Sequence, residues 1–534
     1  MNPMVLPLTR REWMKRSALG GAAARGGVPA PAPRAADLKT YFGDLHNHNL
    51  IGYAQGSLRR TFEIARNHLD FFALTPHAHW HDIGRYENAI ENKWINGFAV
   101  TRARWPEVVH MAREFDQPGR FVPILGYECH SSSLGDYHIL FPDLEAELKI
   151  FDDLKELQAF ARRRGCLMIP HHPACRQGHR GAHFAARDPR VSPLLEIFSE
   201  WGNAEHDRAP FPYVRHTEPG RWTRNTWQYL LSQGHRVGAI ASSDDHLGCP
   251  GAYREGLAAV KAAELSRAAL FEALWRRRCY AVTGDRIELD FTLNGRWMGE
   301  ELPYARNRLI RIAVSGWDQV DRIELLKNNR VIHREFPMDR VPSAQSWEQP
   351  VLVRFEYGWG PWPALGITRV CDWDVTLSLE GGQLLAFQPC FQSGPLEESR
   401  RDRVLEAGPA GLRLRSFTAL RERIDDISTK AVVLKIRGRP DTRLTLRLES
   451  PARVSLTQTL GQLAESSEML FTGDFPKESG MLHRLVFQDN YAAACSLTDE
   501  DGGESVNWYY VRVVQANGQM AWSSPIWVER QAPA

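Results

Sequence analysis

The stretch Tyr41-Phe42-Gly43-Asp44-Leu45-His46-Asn47-His48 reads as a short apolar strand closed by two histidines one residue apart. Alternate side chains of an extended backbone project to the same face, so both imidazoles can reach one metal ion. The same pattern recurs down the chain as far as His246. Candidate strands follow at Phe71–Thr75, Val122–Tyr127, His138–Phe141, Leu167–Pro170, Leu194–Phe198 and Val237–Ala241. His77 comes just after the second strand, Glu128 after the third, His171 after the fifth, and Asp244 with His246 after the last. Helical patterns at Arg59–His68, Arg104–Phe115, Leu154–Arg164, Arg224–Gln233 and Arg267–Arg277 alternate with these strands. Strand–helix alternation predicts parallel βα units, and this many of them predict an α/β barrel. Barrel enzymes collect their reactive side chains at the C-terminal strand ends, which is where these residues fall.

Seventeen of the nineteen histidines lie between His46 and His246, with only His333 and His483 beyond. Scattered surface histidines would not segregate in this way, so the first half uses imidazole for metal or acid–base chemistry. The formal net charge of +2 comes from the N-terminus; without residues 1–36, 60 basic residues face 63 acidic ones. Such a near-neutral, mixed surface offers no footprint for nucleic acid. No run approaches the roughly 18–20 apolar residues of a membrane span. The eight cysteines form no C-x-x-C pair, which argues against a zinc knuckle or a redox motif. Most read as buried thiols; in an oxidising compartment Cys371 and Cys390 are one candidate pair, although sequence does not set connectivity.

Residues 1–36 read as an address. Thr9-Arg10-Arg11-Glu12-Trp13-Met14-Lys15, an Ala/Gly stretch and a Pro/Ala-rich segment resemble a bacterial twin-arginine signal, although Arg25 interrupts the apolar part. The resemblance implies periplasmic delivery of an already folded protein.

After Ile287 the texture changes to period-2 alternation. Arg308–Val314, Arg322–Lys327 and Arg330–His333 read as strands, with Asn328-Asn329 as a turn. Trp508–Val514 and Met520–Val528 flank Asn517-Gly518, a hairpin signal. Further β candidates between them (Val351–Tyr357, Val375–Leu379, Leu384–Gln388, Ala431–Arg437, Leu444–Leu448) exceed one small sandwich. The expected organisation is therefore a barrel over 37–288, a β-sandwich built from 289–340 and 503–534, and an inserted β-rich domain over 341–502.

Taken in order, Gly43–His48, Leu69–His77 with Thr75-Pro76-His77, Gly126-Tyr127-Glu128, Tyr137-His138, Ile169-Pro170-His171 and Ser243-Asp244-Asp245-His246 resemble the polymerase-and-histidinol-phosphatase (PHP) superfamily. Phe271–Leu274 and Tyr280–Ile287 further resemble its carbaryl-hydrolase-like branch. The resemblance implies a distorted (β/α)7 barrel holding two or three divalent ions (zinc, manganese or iron). His46, His48, Glu128 and Asp244 would hold the first ion. Glu128 would bridge to a second, completed by His138 and His171, leaving Glu128, Asp244 and His171 as the catalytic core. His77 and His246 match a third site, but Pro76 stands where the family has an acid, and Asn49–Gln55 supplies neither acid nor histidine. His79 or Gln55 are the available substitutes, and the third site is expected to be weak or absent.

Around this core, His79, Arg176 and Arg180 are candidates for substrate contact, with a solvated basic loop as the plainer reading of the two arginines. His172 reads as supporting structure, and Glu200 or Glu205 as a carboxylate that orients a ligand histidine. The function expected is hydrolysis of a small-molecule ester by a metal-bound hydroxide, with phosphoesters ahead of carbamates, carboxylic esters or amides. A non-catalytic metal-containing binding protein fits less well, because all six ligands of the first two ions are retained. If Arg10-Arg11 is the address, changing both to lysine leaves unprocessed protein in the cytoplasm of a host with the twin-arginine route. Undiminished delivery to the periplasm, read by fractionation, would return residues 1–36 to a disordered tail.

Overall fold

The computed structural model describes residues 38–213, 220–359, 370–392, 394, 397–419, 428–500 and 502–530. The twin-arginine reading falls outside the described residues. Two compact units are formed. Among the described residues, one comprises 317–319 and 337–492; the other comprises 38–316, 320–336 and 493–530. Among the described residues no helix is long and apolar enough to cross a membrane.

The larger unit begins with β1 (Lys39–Asp44), α1 (Leu58–His68), β2 (Phe71–Leu74), β3 (His77–Trp80), α2 (Glu91–Phe115) and β4 (Val122–His130). It continues through β5 (Tyr137–Leu140), α3 (Leu154–Arg164), β6 (Leu167–Pro170), β7 (Leu194–Ser199), α4 (Trp227–Ser232) and β8 (Gly238–Ala241). β9 (Leu257–Ala262), α5 (Arg267–Trp275) and β10 (Cys279–Val282) complete the α/β part. Local chemistry sets the helices. Asp153 caps α3 by accepting from the Lys155 and Glu156 amides, and Gly165 ends it at φ +67°. Leu58, Phe62 and Ala65 bury one face of α1 at helical spacing. Gly43 is required by packing, because a Cβ there would lie 2.3 Å from the Phe71 ring.

The unit is mixed α/β, but its ladders differ from the expected parallel barrel. β1, β2 and β4 pair in parallel, whereas β4–β5, β5–β6, β1–β9 and β9–β10 are antiparallel. The link between β4 and β5 covers only 131–136, and a parallel crossover needs a dozen residues or more. β7 and β8 form a separate small sheet with Gly202–Asn203. Among the described residues, therefore, the hydrogen-bonded ladders do not close into a barrel.

The C-terminal strands β11 (Val320–Lys327), β12 (Val506–Gln515), β13 (Met520–Ser523) and β14 (Ile526–Glu529) extend the main sheet, β13 pairing with β10. Asn328 and Asn329 turn the chain at φ 49° and 65°. The run Met520–Val528 is two strands rather than one, separated at Ser524-Pro525, because proline cannot donate to the ladder. Glu205, expected near the ligands, is instead a buried anchor for this region: its carboxylate accepts from Tyr510 Oη at 2.7 Å, Arg512 Nη1 at 2.8 Å and Trp522 Nε1 at 2.8 Å.

The smaller unit packs two five-stranded antiparallel sheets around one apolar core. One sheet is centred on Val351–Gly358 and Lys430–Arg437, the other on Val370–Glu380 and Arg443–Ser450. Cys371 and Cys390 are separate buried thiols in different sheets, so the bridge considered between them is not formed.

Candidate metal centre

Strand register assembles the centre. Glu128 on β4 lies opposite His77 of β3 on one side and His138 of β5 on the other. Two backbone bonds, Asp244 N–H to His46 O (2.9 Å) and His48 N–H to Asp245 O (3.0 Å), clamp His46-Asn47-His48 against the loop carrying Asp244. Asp44 reinforces that clamp from below, accepting from the amides of Ser243 (3.0 Å), Gly251 (2.8 Å) and His46 (3.2 Å). Asp244 itself adopts φ +55°, a left-handed conformation uncommon for aspartate and often associated with functional positions.

The sequence-derived residues converge. His46 and His48 meet through their Nε2 atoms at 3.1 Å. Asp244 Oδ1 lies 2.8 Å from His48 Nε2 and 3.5 Å from His46 Nε2, and Asp244 Oδ2 lies 2.9 Å from His171 Nε2. Glu128 Oε2 lies 3.4 Å from His77 Nε2, 3.5 Å from His48 Nε2 and 3.7 Å from His46 Nε2. His246, at the rim, stacks obliquely on His48 with ring centroids 4.5 Å apart and points Nδ1 toward Glu200 at 3.6 Å. Glu200, one of the two acids considered for orienting a histidine, thus reaches one.

Several members had not been singled out from the sequence, among them Trp201, whose Nε1 donates to Asp244 Oδ2. Glu196, inside β7, touches His171 Nδ1 at 2.6 Å and His46 Nδ1 at 3.3 Å. His130 shares the face of Glu128 at i+2 and lies 3.4 Å from its Oε1. Tyr53 stacks on His77 with centroids 3.8 Å apart. The Glu128/His130 spacing was a readable signal, the same alternation as His46/His48. Tyr53, in a loop, gave none.

Two substrate candidates lie outside the cluster. A bulge between His77 and His79 breaks the alternation, and His79 pairs with Asp152 at 2.6 Å instead of entering the centre. Arg176 is exposed at the mouth of a tight loop turned by Gly178, and Gln55 is also exposed. Arg180 remains. Its Nε donates to Asp136 Oδ2 at 3.0 Å and its guanidinium lies 5.1 Å from the Trp80 ring centre. Asp136 also holds His130 Nδ1 at 3.0 Å and His172 Nε2 at 3.2 Å, which gives His172 its supporting role.

Tyr53, His77, Glu128, His130, His171, His172, Arg180, Trp201, Asp244 and His246 enclose a cavity of about 160 Å³. Burial drives the imidazoles of His48 and His138 down to about 3, so both offer neutral rings, the form that ligates metal. Burial opposes ionisation of Glu196, yet the neighbouring His171 and His46 bring its carboxyl to about 2. Glu128 and Asp244 are likewise held well below the ordinary range against burial, Glu128 by His130 and His46, Asp244 by His46 and His171.

This donor set fits divalent ions. Several ligand-type groups lie within 4.8 Å of one another: His46–His48–Asp244, His46–Glu128–His171, His46–His138–Glu196, His48–His77–His246 and His77–Glu128–His130. His138 Nε2 is buried with no hydrogen-bond partner, as a ligand atom awaiting a cation would be.

A family described as "Protein of unknown function (DUF3604)" matches residues 251–310. An uncharacterized protein of Chlamydia trachomatis is 28% identical over 271 residues, covering 45% of this chain and 43% of the relative. An uncharacterized protein of Chlamydia muridarum is 28% identical over 272 residues, with the same coverage. The chain thus spans under half the length of the curated relatives it matches. Among solved structures, it is similar to a two-domain protein containing a predicted PHP-like metal-dependent phosphoesterase from Bacteroides vulgatus. That likeness has a TM-score of 0.31 and 15% identity, covering 57% of this chain and 84% of the other.

Because Glu128 faces His46, His48, His77 and His130 at once, Glu128→Gln is expected to lower bound metal and abolish turnover while the fold survives. Elemental analysis after dialysis, with circular dichroism on the same sample, checks it; unchanged metal content would remove Glu128 from the centre.

Proposed function

We propose that this chain is a metal-dependent hydrolase acting on phosphoesters, with its larger, PHP-type α/β unit as the catalytic unit. The observation that carries this reading is the convergence of His46, His48, Glu128, His138, His171 and Asp244 beside one small cavity. His46, His48, Glu128 and Asp244 would hold a first ion, and Glu128, His138 and His171 a second. Zinc, manganese or iron suit such nitrogen and carboxylate donors. Divalent ions held there supply charge neutralisation and activation of water.

The protein's own groups support the same chemistry. Among the described residues lining the cavity there is no serine, cysteine or lysine, which agrees with water as the attacking group. Arg180 contributes a cation held by Asp136 to the wall, and a planar guanidinium there would suit an anionic substrate group. At about 160 Å³ the cavity takes the reacting group and little more. The rest of the substrate would then lie outside it.

Hydrolysis of a carbamate, carboxylic ester or amide is the second reading. Pro76 stands where an acidic ligand of a third ion is expected, and a cluster limited to two ions would suit a neutral carbonyl centre, which brings less negative charge into the cavity. Export by the twin-arginine route, resting on residues 1–36, belongs to the same proposal.

The arginines separate the two substrate classes. Arg180→Ala is expected to lower phosphoester turnover about 100-fold, while neutral-ester turnover falls far less and Arg176→Ala leaves both near wild type. The assay is a panel of aryl phosphate mono- and diesters, carbamates and carboxylic esters. Equal losses on phosphoesters and neutral esters in Arg180→Ala would move the carbonyl reading ahead.

A further inference from the structure

Glu196 lies within β7, in register with Ile240 of β8, and its side chain is buried among the ligand histidines. Its two oxygens do different work. Oε1 meets His171 Nδ1 at 2.6 Å and Oε2 meets His46 Nδ1 at 3.3 Å. In both rings it is therefore Nδ1 that faces Glu196, leaving Nε2 for the centre. His171 Nε2 lies 2.9 Å from Asp244 Oδ2, and His46 Nε2 lies 3.5 Å from Asp244 Oδ1 and 3.7 Å from Glu128 Oε2.

A histidine ligates through a nitrogen that carries no proton, so its proton must sit on the other nitrogen. A carboxylate that accepts from Nδ1–H fixes that tautomer, fixes the ring plane and makes Nε2 a stronger donor. His138 achieves the same end differently: its Nδ1 lies 3.2 Å from the Leu45 carbonyl oxygen, a backbone acceptor that no mutation of a side chain removes. His46 and His171 have no such backbone acceptor among the described contacts and depend on the one carboxylate.

We infer that Glu196 is a positioning residue shared by both metal sites: its two oxygens set the tautomers of His46, a ligand of the first ion, and His171, a ligand of the second. This rests on the two-ion reading above. It goes further, because it makes the two sites interdependent through a side chain that need touch neither ion. Orienting one imidazole with Oε1 places Oε2 for the other, so the geometry of each site depends on the same rotamer.

Glutamine has the same shape as glutamate but offers one acceptor oxygen and one NH2 donor. In Glu196→Gln only one of the two histidines keeps an acceptor at Nδ1. The other must change tautomer, which puts its proton on Nε2 and blocks ligation, or lose the hydrogen bond. Titration calorimetry of the metal-stripped protein with zinc or manganese chloride is expected to show two ions bound by wild type, and weakening of at least one by about 10- to 100-fold in Glu196→Gln. Glu196→Asp, which keeps two acceptors on a shorter arm, is expected to lose less.

A second readout is independent of metal. In the metal-free protein labelled with 15N-histidine, at least one Nδ1-protonated ring of wild type should shift to the Nε2 tautomer in Glu196→Gln. A merely structural role would move the melting temperature without moving tautomers. Wild-type affinities at both sites together with unchanged tautomers in Glu196→Gln would overturn the proposal and leave the metal centre intact. Loss of one whole ion from the stoichiometry, with tautomers unchanged, would overturn it in favour of Glu196 as a direct ligand. Wild-type protein that binds no divalent ion would overturn the two-ion reading itself.

Discussion

A carboxylate taken out of water needs a counter-charge, and this chain buries Glu128, Glu196 and Asp244 within one cluster. The effective penalty for each is several kcal/mol unless charge and hydrogen bonds compensate it. Here the compensation comes from imidazoles: His46 is shared by all three acids, His171 by Glu196 and Asp244, and His48 by Glu128 and Asp244. Neutral imidazoles cannot balance the acids, so the cluster calls for cations, either protons or metal ions. Much of the surrounding architecture serves to hold these groups together: the β3–β4–β5 register around Glu128, the Asp44 clamp and the left-handed backbone at Asp244.

The wall beside this acidic cluster is built on the reverse principle. Asp136 is a buried acid whose partners are Arg180, His130 and His172, and it converts a loop arginine into a fixed part of the cavity. Only one of the two loop arginines is recruited. Arg176 and Arg180 flank a glycine-containing turn, and the turn sends the first to solvent and the second inward.

How much of this was legible depended on whether the determinant was local. The His46/His48 pair, Glu128, His171 and Asp244 stand at the ends of short apolar runs, and alternation alone gave their faces. Helix α3 was readable to its ends because Asp153 and Gly165 cap it. Glu196 was passed over because it sits inside Leu194–Phe198, where a single acid looks like the solvent-facing position of a half-buried strand. In the structure every residue of β7 is buried, so an acid there was the signal. His79 misled for the opposite reason, since a one-residue bulge is invisible to a period-2 reading. Sheet closure and the antiparallel β4–β5–β6 meander depend on pairing between distant segments and on loop length, and apolar runs carry neither. Glu205 has the right residue type at the right rim, yet its partners Tyr510, Arg512 and Trp522 lie some three hundred positions onward, beyond any local pattern.

The central claim is that this cluster of acids and histidines is a two-ion centre. Anomalous diffraction from crystals of the full chain, purified without chelator and recorded at the zinc and manganese edges, tests it most directly. The account predicts two peaks about 3.5–4 Å apart, one against His46, His48 and Asp244, the other against His138 and His171, with Glu128 between them. No peak at the cluster after soaking in both metals, or peaks only at surface sites, would contradict it.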